Sequence, residues 1–187
     1  MDLKIYTVND DYIERLHDVD DKVLQGHPGA KSRKFICILI TINQKQYCVP
    51  FSSPDDSDYI FKNGRRTCRR SFFPVILRMF VEENNGRSFV GKLLFNNMIP
   101  VNPSVITEYD LDNEPDIAYK NLVIKQFTLI RSLYRRGVIN RHADKIYEEK
   151  LNGLDKGYVK ATVDFKKLEK VCDEWSSTQA EANLVAG

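Results

Sequence analysis

The sequence predicts an α+β protein: an antiparallel sheet of five or six strands built mainly from residues 3–109, one early helix, and a C-terminal helical group. Three observations predict it. Up to about residue 109 the apolar residues alternate or fall in short β-branched runs, the pattern of strands. Beyond Asp110 the apolar period lengthens to about 3.6 residues, the pattern of helices. Gly, Pro and Asn break the first part repeatedly, whereas the second is closed at Gly137 and Gly153.

Each element has a local reason. Residues 3–8 alternate and form a short strand. Asn9 then supplies an N-cap, Asp10 and Asp11 suit the positive end of a helix dipole, and Tyr12, Ile13, Leu16, Val19 and Val23 follow at helical spacing, giving a helix to about Leu24. Gly26, Pro28 and Gly29 make a loop before the β-branched run 35–42, whose continuous apolarity suits a strand buried on both faces. A polar turn at 43–46 returns the chain as a second hairpin arm over 46–51, so Ser52 and Ser53 sit just past a strand end. Residues 55–58 are polar loop, and the basic stretch after them is irregular or a strand. Residues 72–81 form a strand interrupted at Pro74, Gly86 breaks the chain, and 88–95, 98–101 and 104–109 are further strands, the first two separated by Asn96-Asn97. Tyr119, Leu122, Val123, Phe127, Ile130 and Tyr134 form the stripe of a helix closed by Gly137. Shorter helices follow over about 140–152 and 164–175, the last with Phe165, Leu168, Val171, Cys172 and Trp175 inward. With no internal repeat and no linker, 1–187 reads as one domain: sheet-rich over 1–110, helical over 111–176, and a frayed tail at 177–187.

Composition narrows the function classes. The chain has 187 residues, of which 42% are hydrophobic, enough to fill a core, so disorder is excluded as the dominant state. No apolar run approaches the roughly 20 residues of a membrane span, and the first residues lack the layout of a signal peptide, so a soluble cytoplasmic protein is expected. Four cysteines without CxxC spacing or clustered histidines suggest neither a zinc site nor a disulfide framework and read as reduced thiols. The formal net charge of +2 conceals segregation. Residues 1–30 carry seven acids against three bases, and 108–116 carry five more acids. Residues 59–81 hold six bases and no acid, and 120–150 hold eight bases against three acids. Such blocks either neutralise one another as solvated faces or form a polarised surface that receives phosphates.

The sequence contains no Walker loop, GxGxxG, HExxH, GxSxG or zinc-deaminase signature. His17, His27 and His142 are too scattered for a sequence-readable metal site, which favours metal-free chemistry by elimination. One such reaction on a polyanion is RNA transesterification, which needs a base near the 2′-hydroxyl, donors around the phosphorane, and an acid for the leaving oxygen. Arg and Lys beside strand-end hydroxyls suit the second requirement.

Five strings occur in an order and spacing that resemble the ToxN/AbiQ family, the protein toxins of type III toxin–antitoxin systems. They are Val19-Asp20-Asp21-Lys22-Val23, Arg33-Lys34-Phe35-Ile36, Pro50-Phe51-Ser52-Ser53-Pro54, Phe95-Asn96-Asn97-Met98-Ile99-Pro100-Val101, and the stretch from Asp110-Leu111-Asp112-Asn113-Glu114-Pro115-Asp116 through Tyr119-Lys120-Asn121-Leu122. The resemblance covers roughly residues 1–135. It implies a strongly twisted antiparallel sheet with a MazF/Kid-like barrel core. It also implies a metal-independent endoribonuclease without cofactor that leaves 2′,3′-cyclic phosphate and 5′-hydroxyl ends on cellular or phage RNA. The implied partner is a small repeated RNA pseudoknot, an antitoxin cut from its precursor by the toxin and alternating with it in a closed protein–RNA ring. Members are bacterial and often abort phage infection.

Carried onto this chain, the family's catalytic Thr-Ser pair in a TSPK string resembles Ser52-Ser53-Pro54-Asp55. Asp55 stands where the family commonly has Lys, so a phosphate-neutralising cation is replaced by a carboxylate that must point away or act as a base. The active-site Lys before the buried strand resembles Arg33, with Lys34 the competing alignment. A catalytic Tyr in the preceding loop has no counterpart within 27–32, where His27 and Lys31 are the local substitutes. Lys62, Arg65, Arg66, Arg69 and Arg70 are expected on the RNA backbone, with Tyr119 and Lys120 as further RNA contacts. The alternative class is a non-catalytic RNA-binding module, for which Asp55 is the best argument. A DNA-binding regulator finds no helix-turn-helix spacing.

Overall fold

The first strand, β1 (Ile5–Val8), leads into Asn9, whose Oδ1 accepts from Tyr12 N at 2.9 Å and so starts helix α1 (Asp10–Val19). These observations come from a computed structural model that describes residues 3–25, 35–84 and 86–185. Helix α1 ends before the expected Leu24 because Asp20 turns extended, with φ −144° and ψ 107°. Its carboxylate is used elsewhere, accepting from Lys22 Nζ at 2.8 Å and from Asp164 N at 2.6 Å, at the start of the last helix.

Strands β2 (Ile36–Ile42) and β3 (Lys45–Ser52) form a hairpin through Asn43 and Gln44, both left-handed at φ 48° and 66°. Cys37 and Cys48 lie on these strands and are joined by a disulfide, with Cα atoms 5.6 Å apart, which corrects the expectation of four reduced thiols. Strand register, rather than sequence proximity, brings the two together. Cys68 and Cys172 are free.

The basic stretch folds as its own hairpin, β4 (Tyr59–Lys62) and β5 (Arg65–Cys68), around Asn63-Gly64, both with positive φ. Strands β6 (Ile76–Glu83), β7 (Gly86–Leu94), β8 (Ile99–Val101) and β9 (Ile106–Glu108) complete the set. The first strand expected after Pro74 thus begins later, beyond a cis Phe73–Pro74 peptide. The main sheet runs β6-β7-β3-β2-β1-β9, with β8 also on β3. Its described strands do not close into the barrel core implied by the resemblance. Closure would pair the end strands β6 and β9. Instead β3 divides its second edge: residues 46–48 pair with β8, while Phe51 and Ser52 pair with Leu93 and Lys92 of β7.

Helix α2 (Ile117–Arg135) is capped by Asp116, whose Oδ1 accepts from Tyr119 N at 2.9 Å, and Gly137 at φ 66° turns the chain into α3 (Val138–Leu151). A single turn, α4 (Gly157–Lys160), precedes α5 (Phe165–Val185), which continues past the Trp175 expected as its end. One core unites these layers. Tyr47 of β3 is fully buried, packs edge-on against Tyr147 and Phe165, and donates to Glu169 Oε1 at 2.6 Å; Tyr147 donates to the same oxygen at 2.7 Å. Burial of such rings contributes roughly 1.5–3 kcal/mol each, and it clamps the start of β3 so that its far end is delivered at a fixed place.

Candidate active site

Ser52 is the last residue of β3 and Ser53 the first beyond it, so the strand runs one residue further than the sequence implies. The chain enters β2 at the same end, since Cys37 pairs with Pro50. The Ser52 hydroxyl oxygen is buried and has no hydrogen-bond partner among the described residues. A buried hydroxyl without a partner is costly in a folded protein unless something completes it. The Ser52 carbonyl, by contrast, is held: Gln126 of α2, 1% exposed, donates from Nε2 to it at 3.2 Å and to Val90 O at 2.7 Å. This approach is possible because residue 91 is glycine. A Cβ there would collide with Gln126 Nε2 and with Ser52 O, and Gly91 sits at φ 151° where the β6–β7 register slips.

Beneath the serines lies a buried charge network. Asp55 caps a turn of 3-10 helix, Asp56–Asp58, accepting from Ser57 N at 2.9 Å while its own N–H donates to Asp58 Oδ2 at 3.1 Å. Lys92, cross-strand partner of Ser52, donates from Nζ to Asp55 Oδ2 at 2.8 Å and to Asp58 Oδ2 at 2.7 Å. Arg78, cross-strand partner of Lys92, donates from Nε and Nη2 to Asp58 Oδ1 at 3.2 and 2.9 Å and from Nη1 to Arg70 O at 2.7 Å. Asp58 is fully buried, Lys92 and Arg78 nearly so. Burial pushes the Asp55 carboxyl up, but the hydrogen bonds from Lys92 and Ser57 outweigh it and hold the group down at about 2. Asp55 therefore neither stands bare beside an incoming phosphate nor takes protons readily at neutral pH.

Several expected residues fall at or near this arrangement and others do not. His27, Lys31, Arg33 and Lys34 lie outside the described residues. The β4–β5 hairpin departs directly from Asp58, and Arg69 N donates back to Asp58 O at 2.7 Å. Arg66 pairs with Asp56 at 2.6 Å, and Arg69 Nε donates to Ser57 O at 3.0 Å. Lys62, Arg65 and Arg70 are exposed and form no ion pair among the described residues. Tyr119 and Lys120 occupy the first turn of α2, about 10 Å along the helix from Gln126, and Lys120 Nζ donates to Asp112 O at 2.7 Å. His17 and His142 are engaged elsewhere: His17 Nδ1 meets Val23 O at 2.9 Å. The His142 ring is stacked against Phe95 with its Nδ1 at 3.0 Å from Pro74 O, and burial lowers its pKa. Among the described residues no three of His, Cys, Asp and Glu converge as metal ligands, and no helix is long and apolar enough to cross a membrane.

Sequence reasoning missed Asp58, Arg78, Gly91, Lys92 and Gln126. Their signals were faint: a lone lysine and glycine inside an apolar strand, and one amide on the inward stripe of α2.

The chain matches the family model of the toxin ToxN of type III toxin–antitoxin systems over residues 4–173. It is 28% identical over 179 residues to the endoribonuclease ToxN of Bacillus thuringiensis subsp. kurstaki, covering 92% of this chain and 84% of that one. It is 27% identical over 175 residues to the endoribonuclease AbiQ of Lactococcus lactis subsp. lactis, covering 90% and 87%. A solved structure from work on selective toxin inhibition by a non-coding RNA pseudoknot in type III systems superposes with a TM-score of 0.72 at 28% identity, over 94% of this chain and 99% of that one. The structure of AbiQ, a lactococcal anti-phage endoribonuclease, shares the fold with a TM-score of 0.72 at 22% identity, over 95% and 99%.

Proposed function

From the premise that this chain belongs to the ToxN toxin family of type III toxin–antitoxin systems, we propose a metal-independent endoribonuclease that cuts RNA at the end of β3. The observation that carries the site assignment is the pair of serines at the split end of β3, one hydroxyl buried and unpartnered, over a network whose formal charges cancel.

In the proposed reaction the 2′-oxygen attacks the adjacent phosphorus, a base takes the 2′-hydroxyl proton, and the bond from phosphorus to the 5′-oxygen breaks as that oxygen gains a proton. The products are a 2′,3′-cyclic phosphate and a 5′-hydroxyl, with no water consumed. Ser53, assisted by Ser52, donates hydrogen bonds to the non-bridging oxygens, whose charge grows in the transition state. The network below is neutral, so the phosphate charge is met by Arg33 or Lys34. Asp55, with its pKa near 2, is a poor base and is assigned to positioning the turn; His27 takes the base role. The β4–β5 hairpin, with Lys62, Arg65, Arg66, Arg69 and Arg70, holds RNA phosphates, and Tyr119 and Lys120 add contacts at the start of α2.

The natural inhibitor in this reading is a cognate RNA pseudoknot processed by the toxin and bound in its substrate groove, toxin and RNA alternating in a closed ring; the cellular outcome is growth control or abortive phage infection. The solved relative inhibited by an RNA pseudoknot supports the RNA partner, and the AbiQ relative, whose solved structure is described as that of an anti-phage endoribonuclease, supports the outcome. Replacement of the family's Lys by Asp55 favours a second reading, an RNA-binding module without catalysis. Purified protein in EDTA separates them. Cleavage leaving cyclic phosphate ends, abolished by Ser53→Ala, is expected. Uncut RNA, or 3′-hydroxyl ends, overturns the enzymatic assignment.

A further inference from the structure

The hairpin and the outer face of β6–β7 carry a row of rings and guanidinium groups that the chemistry above does not use. Phe61 near the hairpin tip is 81% exposed and pairs across the ribbon with Arg66. The Arg66 guanidinium lies 4.0 Å from the centroid of Tyr59. Tyr59 meets Phe89 edge-on at 6.1 Å, and Phe89 meets Phe80 at 5.4 Å. Arg87 closes the row 4.7 Å from the Phe80 ring. Strand alternation explains the alignment: Tyr59 and Phe61 share one face of β4, while Ile60 and Lys62 share the other.

The row is neither core nor a scattered set of exposed apolar groups. Its two guanidinium groups are held from the side by carboxylates, Asp56 at 2.6 Å from Arg66 and Glu82 at 3.1 Å from Arg87. Phe89, in the middle of the row, stands three residues before Lys92, the partner of Ser52, a separation of about 10 Å along the strand. Lys62 and Arg65, cross-strand partners on the opposite ribbon face, supply cations next to it.

We infer that this row is a stacking track for unpaired nucleotides of the bound RNA, leading away from Ser52 and Ser53, with Phe61 as its outer platform; the inference rests on the RNA reading above. Bases of unpaired RNA stack on Phe and Tyr rings and on Arg planes, and every base has such a face, so the track tolerates sequence while selecting single strands. The exposed cations Lys62 and Arg65 beside the rings favour a polyanion over a protein partner, whose interface cores are depleted in such charge.

Phe61 is exposed, so its replacement leaves folding intact and reports on binding. In a Ser53→Ala background, an unstructured RNA carrying 2-aminopurine should bind with its fluorescence quenched. Phe61→Ala should weaken binding about tenfold and relieve part of the quenching. Phe61→Trp should restore both and Phe61→Leu neither. Because stacking is uncharged, Phe61→Ala should keep the wild-type slope of log affinity against log salt. With Ser53 intact, KM should rise with little change in kcat. Cleaving wild type with unaltered affinity and quenching in Phe61→Ala overturns the track alone. An RNA that binds and stacks but is never cut overturns the enzymatic reading and leaves the track standing. Loss of self-association in Phe61→Ala without RNA, at unchanged RNA affinity, makes Phe61 a protein contact and overturns the track.

Discussion

Replacing Lys92 by methionine tests whether the buried network sets the stability and geometry of the serine turn. Asp55, Asp58, Arg78 and Lys92 sum to zero formal charge, and the substitution leaves one uncompensated carboxylate where Asp58 is 0% and Lys92 only 8% exposed. Removing one member of a buried pair costs about 3–5 kcal/mol. Arg78 still holds Asp58 through two nitrogens at 3.2 and 2.9 Å, which places the expected loss near the lower end, about 3 kcal/mol. For a chain of this size that is a fall in Tm of roughly 6–12 °C. Asp55→Asn alone should cost about 1 kcal/mol, because the Asp55 side chain keeps 33% exposure and its pair with Lys92 is partly screened. The double variant restores neutrality and should recover about 1–2 kcal/mol relative to the sum of the two. The pair also predicts an acid limb. The folded Asp55 carboxyl is held at about 2 against an ordinary 3.8, so its contribution is full above pH 4 and disappears as pH falls through 2; Asp55→Asn should flatten that limb. Unfolding in urea and on heating, followed by circular dichroism, measures these terms, and kcat on the same preparations should fall about tenfold or more as the turn shifts. A loss below about 1 kcal/mol for Lys92→Met, or strict additivity in the double variant, would refute the reasoning, because the lysine would then behave as a solvated surface cation.

Two further outcomes follow from single positions. Gly91→Ala places a Cβ against Gln126 Nε2 and Ser52 O at a positive φ, and should cost about 1–3 kcal/mol with a loss of cleavage; Gln126→Ala added to it should restore part of the stability but not the cleavage, since Ser52 O still obstructs, and thermal unfolding with an RNA assay checks both. Lys62→Ala combined with Arg65→Ala should lower the slope of log affinity against log salt by about 1.4 if both cations meet phosphates of a single strand, a change that binding titrations across salt concentrations resolve.

Period and turn chemistry made most elements legible, while the site was legible only along one strand. The hairpin arms β2 and β3, the α2 stripe and the position of Ser52 and Ser53 at a strand end are local consequences of alternation and of residues such as Asn43 and Gly137, and they appear where expected. The β4–β5 hairpin was missed, the stretch being read as irregular or a single strand, although Asn63-Gly64 is a strong two-residue hairpin signal. What no local pattern encodes is the division of β3 between β8 and β7. That division is a long-range pairing choice, and from it follow the open sheet, the placing of Lys92 opposite Ser52, and the approach of Gln126 over Gly91. Asp55 shows the same limit. Its identity suggested a charge facing phosphate, and only the register of β7 reveals the lysine beneath it.

The division of the two basic segments sharpens where RNA can lie. In the helical one, Lys120 donates to Asp112 O, Lys125 pairs with Glu83 at 3.2 Å, Lys145 with Glu149 at 3.6 Å, and Lys150 donates to Val159 O and Thr162 O. Lys125 and Lys145 are thereby shared with carboxylates, whereas Arg131, Arg135, Arg136 and Arg141 of the same segment are exposed and form no ion pair among the described residues. The acidic stretch 108–116 is likewise engaged nearby: Glu108 pairs with Lys4 at 2.6 Å, Asp110 accepts from the backbone of Asp112 and Asn113, and Asp116 caps α2. The bland reading of mutually neutralising blocks therefore fails for the hairpin, whose Lys62, Arg65 and Arg70 remain exposed without ion pairs among the described residues. The near-zero net charge therefore coexists with two exposed sets of cations outside ion pairs among the described residues, one on the β4–β5 ribbon and one of arginines on α2 and α3. If RNA affinity depended on Lys125 and Lys145 as strongly as on Lys62 and Arg65, the RNA would have to compete with Glu83 and Glu149 for them, and replacing those carboxylates by glutamine should then tighten binding.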